Sequence, residues 1–189
     1  MTTKLITAPT TEPLTLSEAK LHLRVTDSSD DNLISGLVSA ARTACESQLN
    51  KVLMLQTWRT TYDSFPDAIE LNMLPVASIS SVKYIDTNGV EQTLSSISYT
   101  LDNSSDYKTA FVVPAYGYQW PAAREQINAV YVDYVCGYAS SSAVPATYKQ
   151  WMLLHIGAWY ENRNSVSVGN TPVSFDYVNY LLNDKNYSL

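Results

Sequence analysis

The chain has only two histidines and two cysteines, and no local signature of catalysis or metal binding surrounds any of them. No HExxH, CxxC, GxSxG, Walker or GxGxxG pattern occurs, so zinc hydrolysis, thiol redox, nucleophilic hydrolysis and nucleotide use each lack their usual local mark. Charged residues are scarce at 16%, and the twelve Lys and Arg never form a run of three. With a net charge of -6 and a pI near 4.8, a protein that grips the phosphate backbone is excluded, because that grip needs clustered cations. Long hydrophobic runs are absent too. The longest, Trp151 to Tyr160, is too short to span a bilayer and is broken by His155, so no membrane partner is expected. The opening MTTKLITAPTTEPL has no signal-peptide core, which predicts a protein made in a cytoplasm, with Cys45 and Cys136 as free buried thiols.

What the chain does have is a core. Hydrophobic residues make up 46%, enough for an ordered globular protein of 189 residues. Fourteen tyrosines stand against three phenylalanines, a bias that suits half-wet surfaces and protein contacts.

Two helices are expected over residues 14–50. Thr15 and Glu18 form a capping box ahead of LSEAKLHL, whose Leu16, Ala19 and Leu23 share a face. TDSSDD then supplies turn and cap residues, with Asp30 and Asp31 in the first turn of the second helix. That helix carries two apolar stripes. One includes Leu33, Leu37, Ala40 and Ala44, and its neighbour includes Ile34, Val38, Ala41 and Cys45. Gly36, Ala40 and Ala44 are small, so another helix is able to approach closely, and Leu37, Ala40 and Ala44 are candidate subunit-interface or core residues.

From Gln56 to Cys136 the apolar period is two, which predicts a small antiparallel sheet. Asn88-Gly89 between SVKYID and VEQTL predicts a hairpin with a type I′ turn. Helix returns at Pro145. Trp151, His155 and Trp159 recur there at helical spacing on a helix apolar almost all round, and are candidate core or subunit-contact residues. FDYVNYLL predicts a last helix. Glu161 is six residues beyond His155, about 600° of turn, so the two cannot pair within the helix. For His155 a packed, hydrogen-bonded ring is the preferred reading over a catalytic one. DSSDDN fails the calcium-loop template, with Asn32 where Gly is needed and Val38 where Glu is needed, and reads as a helix cap. The segment AYGYQWPAAREQ offers Tyr116, Tyr118 and Trp120, and the tail offers Tyr177 and Tyr180, as partner-contact aromatics. Trp120, Tyr116 and Tyr118, with Tyr138, fit a ligand or host-surface binding module, the alternative function. An enzyme with a dispersed site is a third reading, without residues to name.

Five segments then stand in a telling order: LTLSEAKLHLRV with DSSDDNLISGLVSAARTACE, LQTWRTTYDSFPDAIEL, VASISSVKYIDTNGVEQTL, VVPAYGYQWPAAREQINAVYVDYVCGY and VPATYKQWMLLHIGAWYENR. Together they resemble the tailed-phage head-tail connector proteins (gp6-like, head completion), in a longer branch with a β-insertion. The resemblance implies an α+β chain, one connector domain over residues 1–189. Its helical core comprises two N-terminal helices (14–50) and C-terminal helices with a tail (145–189), with a small antiparallel sheet inserted at 56–136. It further implies a ring of dodecamer type in the virion neck, below the portal protein, extending the DNA channel and docking a tail or neck completion protein. DNA would pass as cargo without specific binding, and neither cofactor nor catalytic residue belongs to such a role. Glu161 and Arg163 would be rim contacts. After Asn164 the chain departs from the pattern, lacking the basic residues expected near the end of the last helix.

Overall fold

The computed structural model describes residues 1–104, 109–162 and 175–182. Arg163 and the side chain of Tyr177 lie outside what is described. The chain divides into two compact units, one of residues 1–10 and 54–138, the other of residues 11–53 and 139–189.

The first unit carries a 3₁₀ turn at Ser96–Ser98 and the strands β1 (Thr2–Thr7), β2 (Gln56–Tyr62), β3 (Ile69–Leu71), β4 (Val76–Ile85), β5 (Glu91–Thr93), β6 (Tyr99–Asp102), β7 (Ala110–Pro114) and β8 (Val130–Cys136). They form a five-stranded sheet, β1-β2-β8-β4-β5, and a three-stranded sheet, β3-β7-β6, with every pairing antiparallel. β8 is central because its alternation is the cleanest. Val130, Val132, Tyr134 and Cys136 are buried, while Tyr131, Asp133 and Val135 face the other way, half-buried. The Tyr134 hydroxyl accepts from Thr60 Oγ1 and the Met73 amide, both at 3.4 Å, so the buried phenol is satisfied and its burial pushes the pKa up to about 12. Tyr62 joins the two sheets, since its hydroxyl donates to the Glu70 carbonyl at 2.9 Å and accepts from the Glu70 amide at 3.0 Å.

Two expectations are corrected here. The strands are not confined to an insertion after the helices, and the sheets are larger than expected: β1 precedes both helices and pairs with β2 from Thr2↔Thr61 to Thr7↔Thr57. TTKLIT carries too little alternating hydrophobicity to announce an edge strand that is exposed along most of its length. The Asn88-Gly89 hairpin exists, but not as a type I′ turn. Only Gly89 has positive φ (+84°), the Gly89 amide bonds the Asp86 carbonyl at 2.9 Å, and the Asp86 amide bonds the Val90 carbonyl at 2.9 Å. That is a three-residue loop with glycine in the left-handed position. Asp86 favours it by accepting from the Asn88 and Val90 amides through Oδ1.

The second unit holds α1 (Leu16–Leu23), α2 (Asp31–Leu49), α3 (Ala146–Glu161) and a 3₁₀ segment, Phe175–Leu182, where a helix was expected. The Thr15 capping box is present: Thr15 Oγ1 accepts from the Glu18 amide and Glu18 Oε2 accepts from the Thr15 amide at 2.7 Å. Those bonds, led by the Thr15 amide, hold the Glu18 carboxyl below its ordinary 4.5. The resulting stability is present above that ordinary value and lost as pH falls through the lower folded-state value. Thermal melts of wild type and Glu18→Gln should therefore differ at neutral pH and converge in acid. A gap that persists at low pH would refute the assignment.

Asp30 does not cap α2 with its side chain; instead its Oδ2 accepts from the Tyr160 hydroxyl at 2.5 Å, tying the start of α2 to the end of α3. Asp31 meets Lys20 at 2.6 Å. Arg42 bridges Glu12 (2.7 Å) and Glu46 (2.8 Å), and Glu46 also accepts from the Leu53 amide at 2.9 Å. Burial is the largest influence on Glu46, raising its pKa, and it pushes the Cys45 thiol up to about 12, which makes that thiol inert. Both cysteines are buried thiols outside any disulfide, as the composition predicted.

Candidate functional site

In the helical unit, the two stripes of α2 have different fates. Ile34, Val38, Ala41 and Cys45 are buried against the other helices, whereas Leu33, Gly36 and Ala40 are exposed and Leu37 and Ala44 half-buried. A Cβ placed on Gly36 would meet nothing within 4 Å. The apolar, small-residue stripe of α2 is thus left uncovered within this unit. Trp151 belongs to the core at 4% exposure, alongside Tyr148, Met152 and Ile156. The ring of His155 stacks on Trp151 with centroids 3.7 Å apart, and its Nδ1 lies 2.9 Å from the Trp151 carbonyl. Trp159 meets the same imidazole edge-on at 5.8 Å. The histidine is therefore a spacer between two indoles one turn apart on each side, with a backbone oxygen to receive its ring proton. Tyr180 is exposed.

A groove runs between α1 and α3 in this unit. It has a volume of 390 Å³ and is walled by Leu14, Leu21, Ala146 and Leu153, with polar groups from Glu18, His22, Lys149 and Gln150. Leu21 is 81% exposed beside it. It lies off the Leu16, Ala19, Leu23 face of α1, so periodicity assigned it no role.

In the sheet unit, Trp120 is held. Its ring stacks on Phe65 at 4.9 Å with an interplanar angle of 11°, and its Nε1 donates to the Asp67 carbonyl at 3.3 Å. Tyr116 and Tyr118 are exposed on the turn that precedes it. The three are neighbours in the chain, but tertiary contacts separate an anchor from a displayed pair.

The outer face of the five-stranded sheet carries a polar network that sequence reasoning missed. Arg59 grips Asp133 through two bonds, Nε at 2.6 Å and Nη2 at 2.7 Å, while its guanidinium lies 4.3 Å from the centroid of the Tyr131 ring. The Tyr131 hydroxyl bonds Glu91, which also pairs with Lys83 at 3.0 Å. Burial and the Glu91 carboxylate push Tyr131 up to about 12, and the same hydroxyl leads the lowering of Glu91. On this face Arg59 and Lys83 are each matched by a carboxylate, Asp133 and Glu91 respectively. Among the described residues no group of His, Cys, Asp and Glu is placed to hold a metal ion, and no helix is long and apolar enough to cross a membrane.

Among the described residues the arrangement offers apolar and aromatic packing surfaces. A family model described as phage gp6-like head-tail connector protein matches residues 13–111, more than half of the chain. A chain of the neck of an empty gene transfer agent (GTA) particle, computed with C6 symmetry, is similar with a TM-score of 0.76 and 25% identity, covering 96% of this chain and 93% of that one. A chain of the virion of the native GTA particle is similar at a TM-score of 0.75 and 23% identity, with the same coverage. A third, from the neck of the native GTA particle computed with C12 symmetry, gives 0.73 and 22%, again over 96% and 93%. These chains share the mixed helix and sheet fold. No curated protein matches the sequence.

Proposed function

Because the chain belongs to the phage gp6-like head-tail connector family, we propose that it is a structural subunit of the neck of a phage or phage-like particle. In this reading copies form a closed ring below the portal protein, extend the DNA channel and present a docking surface to a tail or neck completion protein. The observation that carries it is the likeness, over nearly the whole chain, to a subunit of a neck with rotational symmetry. A closed ring needs a heterologous contact, in which one surface of a copy meets a different surface of the next. The uncovered stripe of α2, with Leu37, Ala40 and Ala44, supplies one such surface. A net charge of -6 suits a channel through which DNA slides, since carboxylates repel phosphate and a basic bore would hold it. No step of this role requires a catalytic residue or a cofactor.

Light scattering coupled to gel filtration, with negative-stain imaging, tests the reading. Annular particles of about a dozen copies are expected, the closed form a heterologous contact gives. A monomer at every concentration from micromolar to millimolar, with no assembly on a purified portal ring, overturns it. Ala40→Arg places a charged side chain on the open stripe. It should abolish the rings while shifting monomer stability by no more than about 0.5 kcal/mol, the usual range for an exposed site.

A further inference from the structure

β1 is an outer edge of the five-stranded sheet. Its six residues pair with β2 on one side only, and alternate residues direct their amides and carbonyls away from β2, where among the described residues no backbone bond reaches them. The other edges, β3, β5 and β6, run to only three or four residues each, so among the described residues β1 is the edge long enough to take a further strand. The two faces of β1 differ. Pairing sets Thr2 beside Thr61 and Lys4 beside Arg59, then Thr61 beside Tyr131 and Arg59 beside Asp133, so these side chains share the polar face. Leu5 alternates to the opposite face and is 43% exposed, and Ile6, at the bulge that follows, is 45% exposed.

On the polar face a pocket of 390 Å³ opens at this edge, lined by Thr2, Lys4, Arg59, Thr61, Asn128 and Tyr131. No carboxylate lines it. The acids near it are engaged elsewhere: Asp133 by Arg59, Glu91 by Lys83 and the Tyr131 hydroxyl, and Asp63 by the Asn128 amide at 2.8 Å. Asp133 thus cancels the charge of Arg59, whereas the exposed Lys4 forms no ion pair among the described residues and is the unmatched charge of the pocket. A lysine on an edge strand ordinarily keeps other strands away. It does so selectively, because it repels a basic strand and leaves an apolar one facing a charge, while it admits a strand that brings a carboxylate. The same charge opposes pairing of β1 with β1 of a second copy, which would set lysine near lysine.

We propose that the β1 edge is a docking site for an extended acidic segment of a partner protein, which joins the sheet as an added strand. The main chain of that segment pairs with the free amides and carbonyls of β1, one of its carboxylates meets the Lys4 ammonium over the pocket, and the residue next in its chain, facing the other way, covers Leu5. The segment recognised therefore alternates acidic and apolar side chains. The inference does not depend on ring closure, since every group it uses belongs to one sheet of one copy.

The test titrates the full chain with three peptides: acetyl-Val-Glu-Val-Glu-Val-amide, the same peptide with Lys in place of Glu, and the acidic peptide N-methylated at every residue so that it has no amide to donate. Nuclear magnetic resonance of the ¹⁵N-labelled chain follows the backbone amides of Thr2–Thr7 and their exchange with solvent. The acidic peptide should shift Lys4 and its β2 neighbours and slow exchange at the outward amides of β1. The basic peptide should bind more weakly by about fivefold or more, the upper end for one exposed ion pair, and the methylated peptide should not bind. Lys4→Glu alters an exposed side chain, and it should reverse the order of the acidic and basic peptides, a result that a misfolded variant does not give. Equal binding of those two peptides, retained binding of the methylated one, an unchanged order in Lys4→Glu, or no binding at millimolar peptide each overturns the inference and leaves the ring reading standing.

Discussion

Gly137→Ala is expected to unfold the sheet unit. Gly137 follows the central strand β8, is buried, and has φ +109°, a conformation that costs an L side chain about 1–2 kcal/mol by itself. Space is the larger problem. A Cβ at this position would lie 2.3 Å from the Met54 carbonyl oxygen, 2.5 Å from its carbon and 3.0 Å from the Leu55 nitrogen. All three are backbone atoms, so no rotamer change relieves them. The same segment is pinned by the Gly137 amide on the Pro75 carbonyl at 2.8 Å and by the bridge between Met54 and Tyr138. Relief would have to pull β8 away from Met54 and break these bonds, and the combined cost should exceed about 4 kcal/mol, the range of mutations that clash and strain at once. Amide hydrogen exchange over Val130–Cys136 reads this directly. Protection there should collapse, and a variant with wild-type protection would show that the approach to Met54 is not a constraint.

Trp151→Ala should cost the helical unit about 3–5 kcal/mol, the range for deleting a buried aromatic side chain. Trp151 is 4% exposed, its Nε1 reaches Asn179 Oδ1 at 3.4 Å, and His155 covers one face of the indole. Removing it would leave a cavity and also strip His155 of its stacking partner. Trp159→Ala is the comparison. Trp159 is half-buried and touches His155 only at its edge, so its loss should cost distinctly less. Urea denaturation followed by far-ultraviolet circular dichroism measures both, through a shift of midpoint at an unchanged slope. Equal costs at the two positions would contradict the burial difference.

Much of the local architecture was readable beforehand because its causes act over a few residues. The Thr15 capping box, the apolar spacings of α1, α2 and α3 and the two-residue alternation of β2 and β8 each follow from side chains that meet within one turn or one strand pair. The scarcity of histidine and cysteine and the lack of clustered cations likewise point to protein contacts.

Other features depend on partners far along the chain. β1 exists as a strand because β2 pairs with it, although 48 residues intervene between their ends, from Thr7 to Gln56. Arg59 and Asp133, 74 positions apart, face each other only when β2 and β8 adopt one register. Trp120 differs from Tyr116 not in residue class but in having Phe65 beneath it. The two stripes of α2 are almost equally apolar as sequence, yet one is sealed by its neighbours and the other left open. Composition, caps and periodicity determine α1, α2, α3 and the alternation of β2 and β8, since those are effects of neighbouring residues on one backbone. Which of their faces remains free for another copy is decided by packing, because burial is a property of what lies opposite a side chain, and that is specified by contacts across the whole chain.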